Sequence, residues 1–200
     1  DFAQQALELA YSNSEADVSA LLDAGLEDTR TAMVQKIGEN CNVRRVERLQ
    51  FTDGNAGIVE SYVHSNNRIA VLISVTGGDE ALARDVAMHI AAVNPLVVNA
   101  EDVPEEEIAK ETEIYSAQAR ESGKPEEIIE KMISGRLRKF VAEVSLLEQP
   151  FVKDPDVTVG KLLKDADASV VQFVRFEVGE GIEKEEIDFA DEVAAQVKGS

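Results

Sequence analysis

The run "VRFEVGEGIEKEE", residues 174–186, places a Gly-x-Gly pair at the end of a strand-like stretch, where a phosphate loop could form. A dinucleotide fingerprint needs a third glycine and a helix start that welcomes negative charge. Here the third glycine is missing, and Glu177, Glu180, Glu183, Glu185 and Glu186 surround Gly179 and Gly181. A phosphate would meet carboxylates, so the glycines are read as the joint of a sharp strand-to-helix turn, with the acids facing water or a partner. Gly123-Lys124 and Gly160-Lys161 also fail as Walker lysines. The motif needs a glycine five positions earlier and Ser or Thr after the lysine, but those places hold Gln118 and Pro125, or Pro155 and Leu162.

Metal ligation needs His, Cys or acids clustered at ligand spacing. His64 and His89 are far apart, and neither belongs to an HxxxH or HxxE pattern. His89 follows Val86 by three residues, on or beside an apolar helical stripe, and reads as a satisfied core histidine. His64 falls at a hairpin tip, where a side chain faces either solvent or a partner. Cys41 has Arg44 and Arg45 nearby in sequence, which could activate a thiolate, but a small buried strand residue is the better reading. No cofactor motif is found, and no cofactor or covalent chemistry is expected.

The elements that would carry these residues follow from periodicity. Phe2 to Ile37 reads as two or three short helices, and Cys41 to Phe51 as a strand with Cys41, Val43, Arg45, Glu47 and Leu49 on one face. Thr52-Asp53-Gly54-Asn55 is a turn. Gly57 to Val75 forms a hairpin about Ser65-Asn66-Asn67, whose second strand has Ile69, Val71, Ile73 and Val75 on one face and Ala70 and Leu72 on the other. Apolar residues on both faces predict a central strand covered on both sides. Asp79 caps a helix to about Val93, with Leu82, Val86, Ile90 and Val93 inward, and Asn94-Pro95 ends it.

From Pro104 to Leu147 two charged helical patterns meet at Ser122-Gly123-Lys124-Pro125. Their stripes are Ile108, Thr112, Tyr115, Ala119 and Ile129, Ile133, Leu137, Phe140, Val144, Leu147, which predicts an antiparallel coiled-coil hairpin. A short helix at about Thr158 to Lys164 follows. Next comes a strand from Ser169 to Val178 with Val170, Val174, Phe176 and Val178 on one face, then a helix from about Lys184 to Val197. The fold class is α+β: a small antiparallel-sheet core flanked by helices, interrupted by the hairpin and closed by a C-terminal helix.

With 39 acids, 20 bases and a net charge of −19, the chain repels nucleic acid and anionic lipid. No apolar run reaches the roughly 18 residues of a membrane helix, and neither nucleic acid nor membrane is expected as a partner. One cysteine fits a reducing compartment, and the expected location is cytoplasmic. The start at Asp1 reads as a processed or trimmed product.

Four segments together resemble bacterial translation elongation factor Ts: "KIGENCNVRRVERL" (36–49), "HSNNRIAVLISVTGGDEALARDVAMHIAAVNP" (64–95), "SGKPEEIIEKMISGRLRKFVAEVSLLEQPFVKDPDVTVGKLL" (122–163) and "FVRFEVGEGIEK" (173–184). The resemblance spans nearly all of 27–200. It implies a guanine-nucleotide exchange factor that acts on the GTPase elongation factor Tu by contact, either as a single complex or through a homodimer or 2:2 assembly. A non-catalytic binding or dimerisation module on the same core is the alternative.

The resemblance also implies a division into 1–51 (remainder of an N-terminal core subdomain), 52–103 and 149–183 (the C-terminal core subdomain), 104–148 (hairpin) and 184–200 (C-terminal helical module). The partner contacts it implies are His64, Asn66, Asn67 and Arg68 for the third domain of the GTPase. For its nucleotide-binding domain they are Glu183, Asp188, Phe189, Glu192 and Val193. The family's small N-terminal helical domain and Thr-Asp-Phe-Val wedge are not found before Asp1. Phe2 is not given the wedge role, the strand at 42–49 is expected to have an unpaired edge, and exchange is expected to be weak.

Overall fold

The computed structural model describes residues 2–13, 17–51 and 56–181. The expected turn at 52–55 and the helix at 184–197 lie outside them. Helices α1 (Phe2–Ser12), α2 (Val18–Leu21) and α3 (Glu27–Ile37) form the first unit, packed on one another. Between α2 and α3 the chain winds through a wider turn at Leu22–Leu26, where Gly25 takes φ +105 and bends the path. Leu21 and Leu26 are the buried side chains of this unit. Gly38, at φ +75, ends α3 in the left-handed cap that glycine adopts without strain.

Strands β1 (Ile58–Val63), β2 (Ile69–Thr76) and β5 (Ser169–Glu177) make an antiparallel sheet with β2 in the centre. Val71, Ile73 and Val75 face helix α4 (Glu80–Val93), which supplies Ala83, Val86, Ala87 and Ile90 to the core. Burying a Val or Ile side chain contributes about 1.5–3 kcal/mol, so this layer dominates the stability of the sheet. The Asp79 carboxylate caps α4 by accepting from the Leu82 N–H at 2.8 Å, and Asn94 closes it at φ +56. The inward face of α4 is wider than the four-residue stripe expected. Ala83, Ala87, His89 and Ala91 are buried, while Val93 is 42% exposed. Small alanines let the helix lie close to the strands and bring more of its circumference inside.

The second face of β2 is only partly covered. Leu72 lines a cleft with α1 and residues 47–50, but Ala70 is exposed. Two expectations about neighbouring strands need correction. In β5, a register shift opposite Ser74 and Val75 leaves Val171 as an extra residue. Val170 and Phe173 therefore pair with Val75 and Ile73 on the α4 side, and Val174 and Phe176 lie opposite Leu72 and Ala70 on the other face. The four residues read as one face are split by that bulge.

Cys41–Phe51 is not a strand, because no neighbouring strand pairs with it among the described residues. Its inward residues are Cys41, Val43, Val46, Leu49 and Phe51 rather than strict alternates. Side chains hold it instead. Arg30 donates to the Cys41 carbonyl at 3.2 Å, and Arg48 donates to the Asn13 carbonyl at 3.3 Å. Cys41 is half-buried in this irregular segment, not a buried strand residue.

Helices α5 (Glu105–Arg120) and α6 (Glu126–Val144) run alongside each other as a helical hairpin, with Gly123 at φ +65 in the tip. Ala119 and Ile129 are buried near the tip, and the other residues of both apolar stripes are half-buried. Arg136 donates to the Gln118 amide oxygen and lies 5.5 Å over the Tyr115 ring. At the root, Val97 and Ser145 form a parallel bridge, and Leu146 N–H donates to the Val97 carbonyl at 2.9 Å. The short pair β3 (Pro150–Phe151) and β4 (Asp154–Thr158) then leads into helix α7 (Val159–Asp165), capped by Thr158.

Candidate functional site

The β1–β2 turn brings His64, Asn66, Asn67 and Arg68 into one loop at the end of the sheet. His64 N–H donates to the Ile69 carbonyl at 2.9 Å, and Asn67 N–H donates to the His64 carbonyl at 2.8 Å. Asn67 holds φ +55, a left-handed conformation that asparagine tolerates. The Asn66 side-chain oxygen accepts from the Arg68 N–H at 2.9 Å, closing a local turn. Val178 N–H donates to the Arg68 carbonyl at 2.8 Å and ties the loop to the end of β5. The loop is thus fixed by backbone bonds while Asn66, Asn67 and Arg68 stay exposed.

His64 is half-buried, and its Nδ1 lies 3.1 Å from the Tyr62 hydroxyl. Both rings form a wall of a cleft of about 480 Å³ that also takes in Met88 from α4, Val152 and Lys153 from the β3–β4 turn, and Arg175 from β5. Lys153 pairs with Asp85 at 2.6 Å. The Arg175 side chain is only 10% exposed, pairs with Glu177 at 2.8 Å, and has a buried Nε with no partner among the described residues. On the other face a smaller cleft of about 210 Å³ is lined by Val63, Asn67, Arg68, Ala70, Phe176 and Val178. Val63 and Val178 are 59% and 60% exposed. In a chain of net charge −19 this end gathers His64, Arg68, Lys153 and Arg175 beside exposed apolar groups. Such a surface suits recognition of another protein: apolar anchors, a few charges and an ordered backbone.

His89 holds one wall of the larger cleft in place. It is fully buried in α4. Its Nδ1 accepts from the Val152 N–H at 3.2 Å, so its Nε2–H donates to the Gln149 side-chain oxygen at 2.9 Å. Gln149 in turn donates to the Glu143 carbonyl at 2.6 Å. Burial pushes the His89 pKa down, and the Gln149 bond opposes that shift. The core-histidine reading therefore holds. Its second nitrogen also orients the turn that presents Val152 and Lys153, two cleft residues for which no role was expected from sequence.

The Gly179–Gly181 turn differs from its expectation in one respect. Gly179 and Gly181 have φ +88 and +66, as a sharp turn requires, but Glu180 does not simply face water. Its carboxylate pairs with Arg45 at 2.7 Å and accepts from the Glu177 N–H at 3.3 Å, and its carbonyl accepts from Arg44 at 2.6 Å. The Arg45 bond holds the Glu180 carboxyl below its usual range, against the opposing effect of burial. Arg44 and Arg45 are thus engaged far along the chain.

Glu183, Asp188, Phe189, Glu192 and Val193 lie outside the described residues. Among the described residues, no group of three or more His, Cys, Asp or Glu side chains is placed to hold a metal ion, and no helix is long and apolar enough to cross a membrane.

The model of the family "Elongation factor TS" matches residues 1–180. A protein named elongation factor Ts from Hahella chejuensis is 62% identical over 190 residues, covering 95% of this chain and 65% of its own length. Those from Teredinibacter turnerae and Saccharophagus degradans are 60% and 58% identical over the whole chain, covering 67% and 68% of their own lengths. The chain spans about two thirds of the length of these curated relatives.

Proposed function

Since the chain belongs to the elongation factor Ts family, we propose that it promotes release of GDP from the translation GTPase elongation factor Tu by protein contact, without covalent chemistry of its own. The observation that carries this reading is the family match over residues 1–180. The loop of His64, Asn66, Asn67 and Arg68, with its two flanking clefts, supports it as an ordered, exposed contact surface. Glu183, Asp188, Phe189, Glu192 and Val193 are proposed as a second contact, on the nucleotide-binding domain.

The mechanism is differential binding. A factor that prefers the nucleotide-free GTPase weakens GDP by the same coupling free energy that GDP imposes on the factor. The larger cleft would receive an apolar side chain of the GTPase between Met88 and Val152, with His64 and Lys153 supplying polar contacts at its rim. The hairpin of α5 and α6 is read as a coiled-coil arm. Because the chain spans about two thirds of its relatives' length, its exchange is proposed to be slower than that of a full-length relative.

The test is release of a fluorescent GDP analogue from bacterial elongation factor Tu, with the 200-residue chain in excess and a full-length relative alongside. Release faster than the spontaneous rate, though slower than with the relative, is expected. His64→Ala and Lys153→Ala should each weaken complex formation on a sizing column by about 1 kcal/mol or more. A complex without faster release would leave a binding module in place of an exchange factor. No complex would reject the contact surface as well.

A further inference from the structure

The N-terminal helical unit and the sheet are joined in an unusual way. Helices α1, α2 and α3 pack on one another, whereas β1, β2, β5 and α4 form a separate layered core. The segment linking them, residues 40–51, carries no ladder bond to the sheet among the described residues. Residues 47–50 share a cleft with Leu72 of β2, and Phe51 lies beside Gly57 and Val75 at the opposite end; the polar link to the far end of the sheet is a pair of arginines. Arg45 lies 4.5 Å over the Phe176 ring and pairs with the Glu180 carboxylate at 2.7 Å. Arg44 donates to the Glu180 carbonyl at 2.6 Å.

The acceptor side is shaped for this contact. Glu177 N–H fixes the Glu180 carboxylate from its own turn at 3.3 Å, and the flanking glycines hold positive φ. A Cβ at Gly181 would stand 2.9 Å from the Arg44 guanidinium, so the guanidinium lies close over this glycine. Both charged side chains of the pair remain nearly half exposed, at 46% and 44%.

We propose that Arg44, Arg45 and Glu180 form a releasable clasp that holds helices α1, α2 and α3, through the 40–51 segment, against the far end of the sheet. Exposed ion pairs are weak and screened by salt, and a cation over an aromatic ring at an exposed site adds a similar small amount. The clasp therefore opens while the sheet keeps its core, and α1, α2 and α3, losing that support, open locally more often.

Hydrogen–deuterium exchange on the 200-residue chain tests it. Glu180→Gln keeps the shape and removes the charge, and Arg44→Ala with Arg45→Ala removes the other half. Amides in 2–51 should exchange about three- to tenfold faster in both variants, by the summed strength of such contacts. Amides in 58–177 should be unchanged. Raising salt from about 0.1 to 1 M, which shortens the screening length from about 10 to 3 Å, should accelerate the same N-terminal amides in the parent but not in Glu180→Gln. Arg45→Glu combined with Glu180→Arg should slow them again relative to either single change. Unchanged exchange in 2–51 would overturn the proposal. So would equal acceleration in 58–177, since that would mean a general loss of stability.

Discussion

Gly77 and Gly135 show how differently two glycines can constrain one chain. Gly77 holds φ +70 with the backbone of Asp167 and Ala168 packed where a Cβ would stand. Gly135 lies inside α6 with nothing within 4 Å of that position. Gly77→Ala should therefore cost about 3 kcal/mol, combining left-handed strain with overpacking. Gly135→Ala should instead stabilise by about 0.5–1 kcal/mol, because helical alanine loses less backbone freedom. Urea denaturation of both variants checks the opposite signs.

His89 carries a pH signature. Its folded pKa is depressed by burial, so the unfolded chain takes up the proton first as pH falls. Stability should be full above the unfolded value of about 6.5 and decline as pH drops below it toward the folded value. His89→Gln should flatten the acid side of a stability curve below about pH 6.5, beyond any change in overall stability. His89 was legible from sequence as a core residue because its spacing from Val86 is local. Its grip on Val152 was not, since 63 residues separate the partners.

At the scale of elements, the helices were the most legible part, because a 3.6-residue period is written entirely within the segment that obeys it. Both stripes of the α5–α6 hairpin lie at least half-buried as expected. Ile129→Ala should destabilise the hairpin by about 2–4 kcal/mol, read as faster amide exchange in 105–144 with β1, β2 and α4 unaffected. Strands depend on neighbours. Residues 41–51 have strand-like composition but no partner, so arginines rather than a ladder decide their path. In β5 the run Val170-Val171 is apolar at successive positions, and alternation alone cannot reveal that Val171 is the bulged residue.

Over the whole molecule, the candidate site was half legible. His64, Asn66, Asn67 and Arg68 belong to one turn, so a hairpin signal places them together. The cleft beside them is assembled from α4, the β3–β4 turn and β5, and no short stretch of sequence announces that Met88, Val152, Lys153 and Arg175 converge. The words "QPFV" and "VRFEVGEG" carried the family likeness without saying what their side chains do. Their roles here are concrete: Gln149 steadies His89, Val152 lines the cleft, and Glu180 receives two arginines.

The root of the helical hairpin has a mechanical consequence. The arm meets the body through the Val97–Ser145 bridge and its neighbouring backbone bonds, while α6 alone runs 19 residues outward from it, about 28 Å at the helical rise. A tilt of about 5° at that root would carry the tip by about 2.5 Å over that length. Strain too small to register in the sheet would thus be magnified at Gly123 and Lys124, and a probe fixed there would report on the body from outside it.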